Sequence, residues 1–362
     1  MNSKERIKAI LNFEEPDRIG MHDEFWLDTI RRWKKEGGLP PDAPEPPEGA
    51  DYKYIAPKYF NMDMAFVEID PSPRFERKII EVRDDEVVLI DEWGQKKVAW
   101  KHDTARVHVI DNIVKSEEDW RKIEDRFQPT LDRIVDPPYK DLKKLKKSDK
   151  FIMLLIYNPW EWGFRIVGFT NLIRKIYREP ALIRRMFDTL VKFQSELMKI
   201  VIDEGVVDGI WMWGDSAYNS GPFISPEKYR EFITPVHKIF CNIAKKHDLP
   251  VLLHSDGDIR PLIPQFIEAG ITCINPVESD ILDVAELKEK YGDKLVFCGG
   301  IDVRKLSEGP EAARRETLDK IKKLAYGGGF IYHSDHSVPP TVSFEAYKAS
   351  LKAVEKYGRY KP

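Results

Sequence analysis

Cysteine is scarce in this 362-residue chain, and the three present, Cys241, Cys273 and Cys298, are too few and too scattered for a disulfide framework or a CxxC metal knuckle. They read as buried thiols. No stretch reaches the ~20 consecutive apolar residues that a membrane-spanning helix requires, and the opening MNSKERIKAILNFEEPDR lacks the uninterrupted apolar core of a secretion signal. The expected location is therefore cytoplasmic, with no membrane partner. Neither sign of charge dominates: 58 basic against 61 acidic residues leave a net charge of -3, which gives no overall field for nucleic acid. A glycine fingerprint after a strand is also missing. The GGG at Gly327–Gly329 precedes its apolar run, so a phosphate-binding turn would be misplaced there.

What is present is a patterned chain, 42% hydrophobic, long enough to bury a large core. A short amphipathic helix opens it, with Ser3 as the expected cap and Ile7, Ile10 and Leu11 on one face. Prolines and glycines at 37–49 predict a surface loop. Alternation of apolar and polar residues predicts an inserted antiparallel hairpin or meander over about 65–110. From about residue 150, short apolar runs (FIMLLIY, GIWMW, PVLLH, ITCINPV, KLVFCG, FIYH) alternate with long helical stretches. That alternation is the signature of parallel βα units, and with DRIGMHDEF and MAFVEID as earlier strands it approaches the eight of a TIM (β/α)8 barrel. The expectation is one domain over 1–362, an α/β barrel with an N-terminal extension; a doubly wound sheet is the runner-up. Helices are expected over the stretch from Asn171 to Gly205, from Ser225 (cap) and Pro226 onward, and from Ile259 to a stop at Gly270.

In such a barrel the residues ending each strand converge on one mouth. Here the runs end in Asn158, in Gly214 and Asp215, in His254 and Asp256, in Glu278, and in His333, Asp335 and His336. Strand ends are often polar because turns begin there, and Asp215 or Asn158 alone is half explained that way. Two histidine-bearing ends among only eight histidines are harder to assign to turns. Imidazole and carboxylate from adjacent strands suit a divalent metal such as Zn2+. The same groups also serve metal-free acid–base chemistry, and the residues leave both readings open. His102, His108, His237 and His247 fall in the hairpin or on helices and read as surface or packing residues. Aromatic candidates for a substrate wall are Phe25, Trp26, Tyr157, Trp160, Trp162, Trp213, Tyr218 and Phe223. Trp211 and Trp213 alternate on a strand and also fit core packing, whereas the NPWEW aromatics follow their strand end and are the better pocket candidates.

HSDGDIRPLIPQFIEAGITCINPVE, LVFCGGID, GGGFIYHSDHSVPPTVSFEAYKASLKAVEKYG, GDSAYNSGPFISPEKYREFITP and the opening SKERIKAILNFEEPDRI together resemble the uroporphyrinogen decarboxylase superfamily over nearly the whole chain. The resemblance implies a TIM barrel and one of two activities, porphyrinogen decarboxylation or corrinoid-linked methyl transfer. The decarboxylases carry an N-terminal RQAGR-type segment that grips substrate carboxylates. This chain has GMHDEFWLDTIRRWKKEGG instead, with Arg31 and Arg32 in a solvated helical pattern.

The methyltransferases are expected to hold zinc through a His-x-Cys pair, a glutamate on the next strand and a cysteine near the last. His254 matches the histidine and Glu278 the glutamate; Asp256 stands at the first cysteine, and Asp335, or neighbouring His333 or His336, at the last. Oxygen in place of sulfur makes the ion harder and more Lewis acidic, which suits activation of an ether oxygen. The resemblance thus implies transfer of a methyl group from an O-methyl donor, such as a methoxylated aromatic, to the Co(I) corrinoid of a partner protein. His333 or His336 would then protonate the leaving oxygen. A metal-free lyase using Asp215 or His254 as proton donor, and a non-catalytic barrel that binds a ligand or corrinoid protein, are the alternatives. Barrels of this kind often dimerise, so a homodimer is an expected form.

Overall fold

The computed structural model describes residues 1–43, 59–101 and 103–360. Part of the 37–49 segment and His102 therefore lie outside the described residues. Eight short strands supply the barrel: Gly20–Met21, Met64–Ile69, Phe151–Tyr157, Gly209–Trp213, Val251–His254, Cys273–Asn275, Val296–Cys298 and Phe330–Tyr332. Each pairs in parallel with its neighbour in that order from the second to the eighth, and the first pairs with the eighth. The remaining seam is closed at the base by Asp63, whose N–H donates to the Met21 carbonyl at 2.7 Å while its carboxylate accepts from Met21 N–H at 2.8 Å. Above that point the antiparallel strand Ile134–Asp136 covers the free edge of the second strand. The predicted barrel is thus the observed one.

Residues alternate in and out along each strand. Leu252, Cys273, Val296, Cys298, Trp211 and Ile331 therefore fill the interior, together with Met64, Phe66, Met153 and Leu155. From below, the Ser3–Leu11 helix inserts Ile7, Ile10 and Leu11 into the same cluster. Its seat demands a small residue on the first strand, since a Cβ at Gly20 would lie 2.6 Å from the Ile7 Cδ1 atom. Asn2 rather than Ser3 caps this helix, because Asn2 and Glu5 form a reciprocal capping box one residue earlier than expected.

Proline divides two of the expected helices. The stretch after the third strand becomes Phe169–Arg178 and Pro180–Asp203, and the stretch after Ser225 becomes Pro226–Phe232 and Thr234–Lys245. Pro180 and Pro235 lack the N–H that would continue the ladder, so each starts a new helix instead. The helix after the fifth strand begins at Ile263, later than expected, and stops as expected at Gly270, which adopts φ 98°. The meander comprises Lys78–Val82, Glu86–Ile90, Lys96–Trp100 and Asp103–Asp111. It begins later than residue 65 because Met64–Ile69 pairs with Phe151–Tyr157 as a barrel strand. Trp93 anchors it to the barrel, its ring centroid 5.8 Å from that of Tyr157.

Candidate functional site

At the C-terminal mouth of the strands lies a cavity of about 250 Å³, lined in part by Glu24, Trp26, Glu161, Phe164, Trp213, Asp215, His254, Asp256, His333 and His336. Strand periodicity explains the convergence. Trp213, His254 and His333 each stand two residues beyond an inward core residue, Trp211, Leu252 and Ile331. The two tryptophans occupy successive layers, Trp211 fully buried and Trp213 at the cavity wall.

Asp215, His254 and Asp256 each bring one ligand atom within 4.8 Å of the other two. The Asp256 N–H donates to Asp215 Oδ1 at 2.9 Å, tying the loops after the fourth and fifth strands together, and His254 Nε2 lies 3.8 Å from the same oxygen. Gly214 makes the turn possible: at φ 133° a Cβ would sit 2.3 Å from the Glu161 Cβ. Parallel register sets His254 directly beside Asn275, and His254 Nδ1 lies 2.7 Å from the Asn275 Oδ1. Burial, and then the Asp215 charge, push the Asp256 carboxyl well above the usual carboxylate range. Its Oδ1 is buried without a hydrogen-bond partner. His336 completes the wall, with Nε2 3.8 Å from Asp256 Oδ2 and its ring stacked on Trp26 at 5.9 Å.

Glu278 and Asp335 are not in this group of three, although the charge of each acts on the Asp256 carboxyl. Glu278 accepts from the Gly257 N–H at 3.0 Å, and burial raises its carboxyl. Asp335 accepts from the Val303 N–H at 3.0 Å and has the Arg304 guanidinium 3.8 Å from its other oxygen; burial pushes it up to about 7. His333 lines the cavity, and its Nε2 is buried without a hydrogen-bond partner.

Most of the expected aromatic wall is elsewhere. Trp160 and Trp162 are fully buried; Trp162 donates from Nε1 to the Pro71 carbonyl at 3.0 Å and packs edge-on to Trp120. The helix Pro159–Val167 begins directly after the strand and turns both rings into the core, leaving Phe164 at the cavity. Phe25 is also fully buried, against Trp33 and Tyr347. Tyr218 is half exposed on the short hairpin Ala217–Pro222 and packs on Phe223. Asn158 caps the helix, accepting from the Trp160 N–H and donating to the Gly214 carbonyl at 3.1 Å. It holds the site's backbone rather than facing the cavity.

Sequence reasoning passed over Glu24, Glu161, Phe164 and Asn275. Glu24 was legible, because MHDEF ends the first strand as HSD ends the fifth and eighth. Its neighbour Asp23 is fully buried, accepts from Ser334 Oγ and Tyr347 OH at 2.9 Å each, and is pushed by burial up to about 6.

No helix among the described residues is long and apolar enough to cross a membrane. Across its length the chain matches a solved methyltransferase from Methanosarcina mazei with a TM-score of 0.69, at 14% identity and covering 99% of both chains, which establishes the shared fold. It is 22% identical to the uroporphyrinogen decarboxylase of Hydrogenovibrio crunogenus, over 80% of this chain and 81% of that one. It is 26% identical to the same enzyme of Serratia proteamaculans, over 56% of this chain and 58% of that one. Identity is 24% to a methylated-thiol–coenzyme M methyltransferase of Methanosarcina mazei, over 57% of this chain and 53% of that one. The chain thus spans little more than half the length of the last two relatives. The uroporphyrinogen decarboxylase (URO-D) family model matches residues 61–357, and the chain belongs to that family.

Proposed function

We propose that the protein transfers a methyl group from a small O-methylated donor to the Co(I) corrinoid of a partner protein, with a divalent ion held by Asp215, His254 and Asp256. One observation carries the choice of methyl transfer over decarboxylation: the cavity wall offers four carboxylates and no lysine or arginine among the described residues. Arg165 pairs Glu161 from outside that wall at 2.6 Å, so a substrate bearing carboxylates would meet Glu24, Asp215 and Asp256 with no cation of the wall to bind it, and carboxylate against carboxylate at close range in a half-buried site is unfavourable. The cavity volume of about 250 Å³ also falls below the ~300–1,000 Å³ of sites for drug-sized ligands, which suits a small donor.

The donor set fits a cation. Asp256 Oδ1 is buried and unpartnered, and its carboxyl is held up by burial and by Asp215, a cost that a bound cation relieves. Zn2+ suits one imidazole and two carboxylates, and when bound it supplies Lewis acidity toward the donor's oxygen. Trp213, Trp26 and Phe164 give apolar contact that excludes water around the methyl group. His333, with its unpartnered Nε2, and His336 line the same cavity and would supply a hydrogen bond to the leaving oxygen. A relative named for methyl transfer supports the reaction class.

The test is anaerobic incubation with free cob(I)alamin and a panel of methoxylated aromatics, followed by absorbance. Methylcobalamin should form, stop after chelation, return with Zn2+, and fall to background in His254→Ala. Release of CO2 from a carboxylic acid, unaffected by chelation, would instead establish the lyase, which the raised Asp256 carboxyl favours as a proton donor.

A further inference from the structure

Beside His254 inside the barrel stands Asn275, 1% exposed, on the neighbouring strand. Its amide has two distinguishable ends. Nδ2 donates to the Cys298 carbonyl at 2.9 Å, and that oxygen can only accept, so the amide orientation is fixed by the seventh strand. Oδ1 is then the atom that faces His254 Nδ1 at 2.7 Å, and the nitrogen opposite an acceptor must carry the proton.

We infer that Asn275 is a positioning residue: it holds His254 as the Nδ1–H tautomer and so aims the Nε2 lone pair at Asp215 and Asp256, and its value for metal binding rests on the function proposed above. Were the proton on Nε2, His254 would offer the carboxylates a donor and a metal nothing. Ligand histidines are commonly oriented by a partner of this kind on the far nitrogen. Here the partner is neutral, so it fixes the ring without adding a third anion to a site that already holds Asp215 and Asp256. The residue was hidden in the sequence because the run ITCINPV reads through it toward Glu278, whereas the strand ends at Asn275.

The test uses full-length protein with ¹⁵N-labelled histidine. In the metal-free wild type the imidazole spectrum should give His254 as Nδ1–H; an Nε2–H form would overturn the inference without any variant. Asn275→Asp keeps an acceptor toward Nδ1 but loses the donor to Cys298, so it should keep the tautomer and lower the melting temperature. Asn275→Leu should lose the tautomer, and an unchanged His254 signal there would also overturn the assignment. In a Zn2+ titration against a chromophoric chelator, Asn275→Leu should bind ~10–100-fold more weakly than wild type; equal affinity would remove the role in metal binding. Should wild type bind no Zn2+ while the tautomer results hold, the positioning stands and the metal in the proposed function falls.

Discussion

Aromatic side chains that end or follow a strand do two different jobs, and burial separates them. Trp160 is fully buried while Trp213 faces the cavity. Trp160→Ala should therefore cost ~3–5 kcal/mol in chemical denaturation, whereas Trp213→Ala should leave folding nearly intact and raise KM for the donor. Asp23 carries a pH dependence whose sign follows from its environment. Burial raises its folded value to about 6, so between the unfolded value and about 6 the native state holds more protons than the unfolded state. Stability should then fall as pH rises through that window, by on the order of 3 kcal/mol for this group. Urea melts from pH 4 to 7 should show a smaller decline for Asp23→Asn than for wild type; an equal decline would assign the dependence to Asp335 and Asp256 instead.

Elements matter here through how abruptly they end. The fourth strand stops at Trp213, and Gly214 at φ 133° turns the chain so that Asp215 returns over the cavity. An alanine at 214 must enter a backbone region that L-residues avoid and displace Glu161, at a cost of ~1–3 kcal/mol. Because the same shift moves Asp215 relative to His254, Gly214→Ala should weaken Zn2+ binding more than it lowers the melting temperature would suggest. A titration in which Gly214→Ala matches wild type would show that the turn does not set the site. The proline-started helices act in the same way: Pro180 and Pro235 fix where one helix yields to the next.

For the whole molecule the weak point is the seam between the first and second strands. Asp63 is fully buried and takes Arg6 Nη1 at 2.8 Å and Arg18 Nη1 at 2.7 Å while also bonding Met21. This one carboxylate joins the plugging helix, the first strand and the start of the second. Asp63→Ala leaves Arg18 without its carboxylate partner, while Arg6 keeps Asp17 at 2.7 Å, so denaturation should show a loss of ~3 kcal/mol. A loss near zero would mean that packing of Ile7 and Ile10 closes the barrel alone.

The sequence determined the barrel, because apolar runs at parallel-strand length separated by amphipathic helices have few other ways to bury their surface. It also determined that Asp215, His254, Asp256, His333 and His336 would come together at one end, since each follows the last apolar residue of a run by one to four positions. Only tertiary structure decided which groups share an ion-sized space. Glu278 and Asp335 also follow strands, but each gives one oxygen to a backbone N–H, of Gly257 and of Val303, and neither falls in the group of three. Trp160 and Trp162 follow a strand too, yet a helix starts at Pro159 and rotates them inward. Distance along the chain fixes which end of the barrel a residue occupies, whereas the direction of its side chain depends on the turn and on the donors that turn brings near.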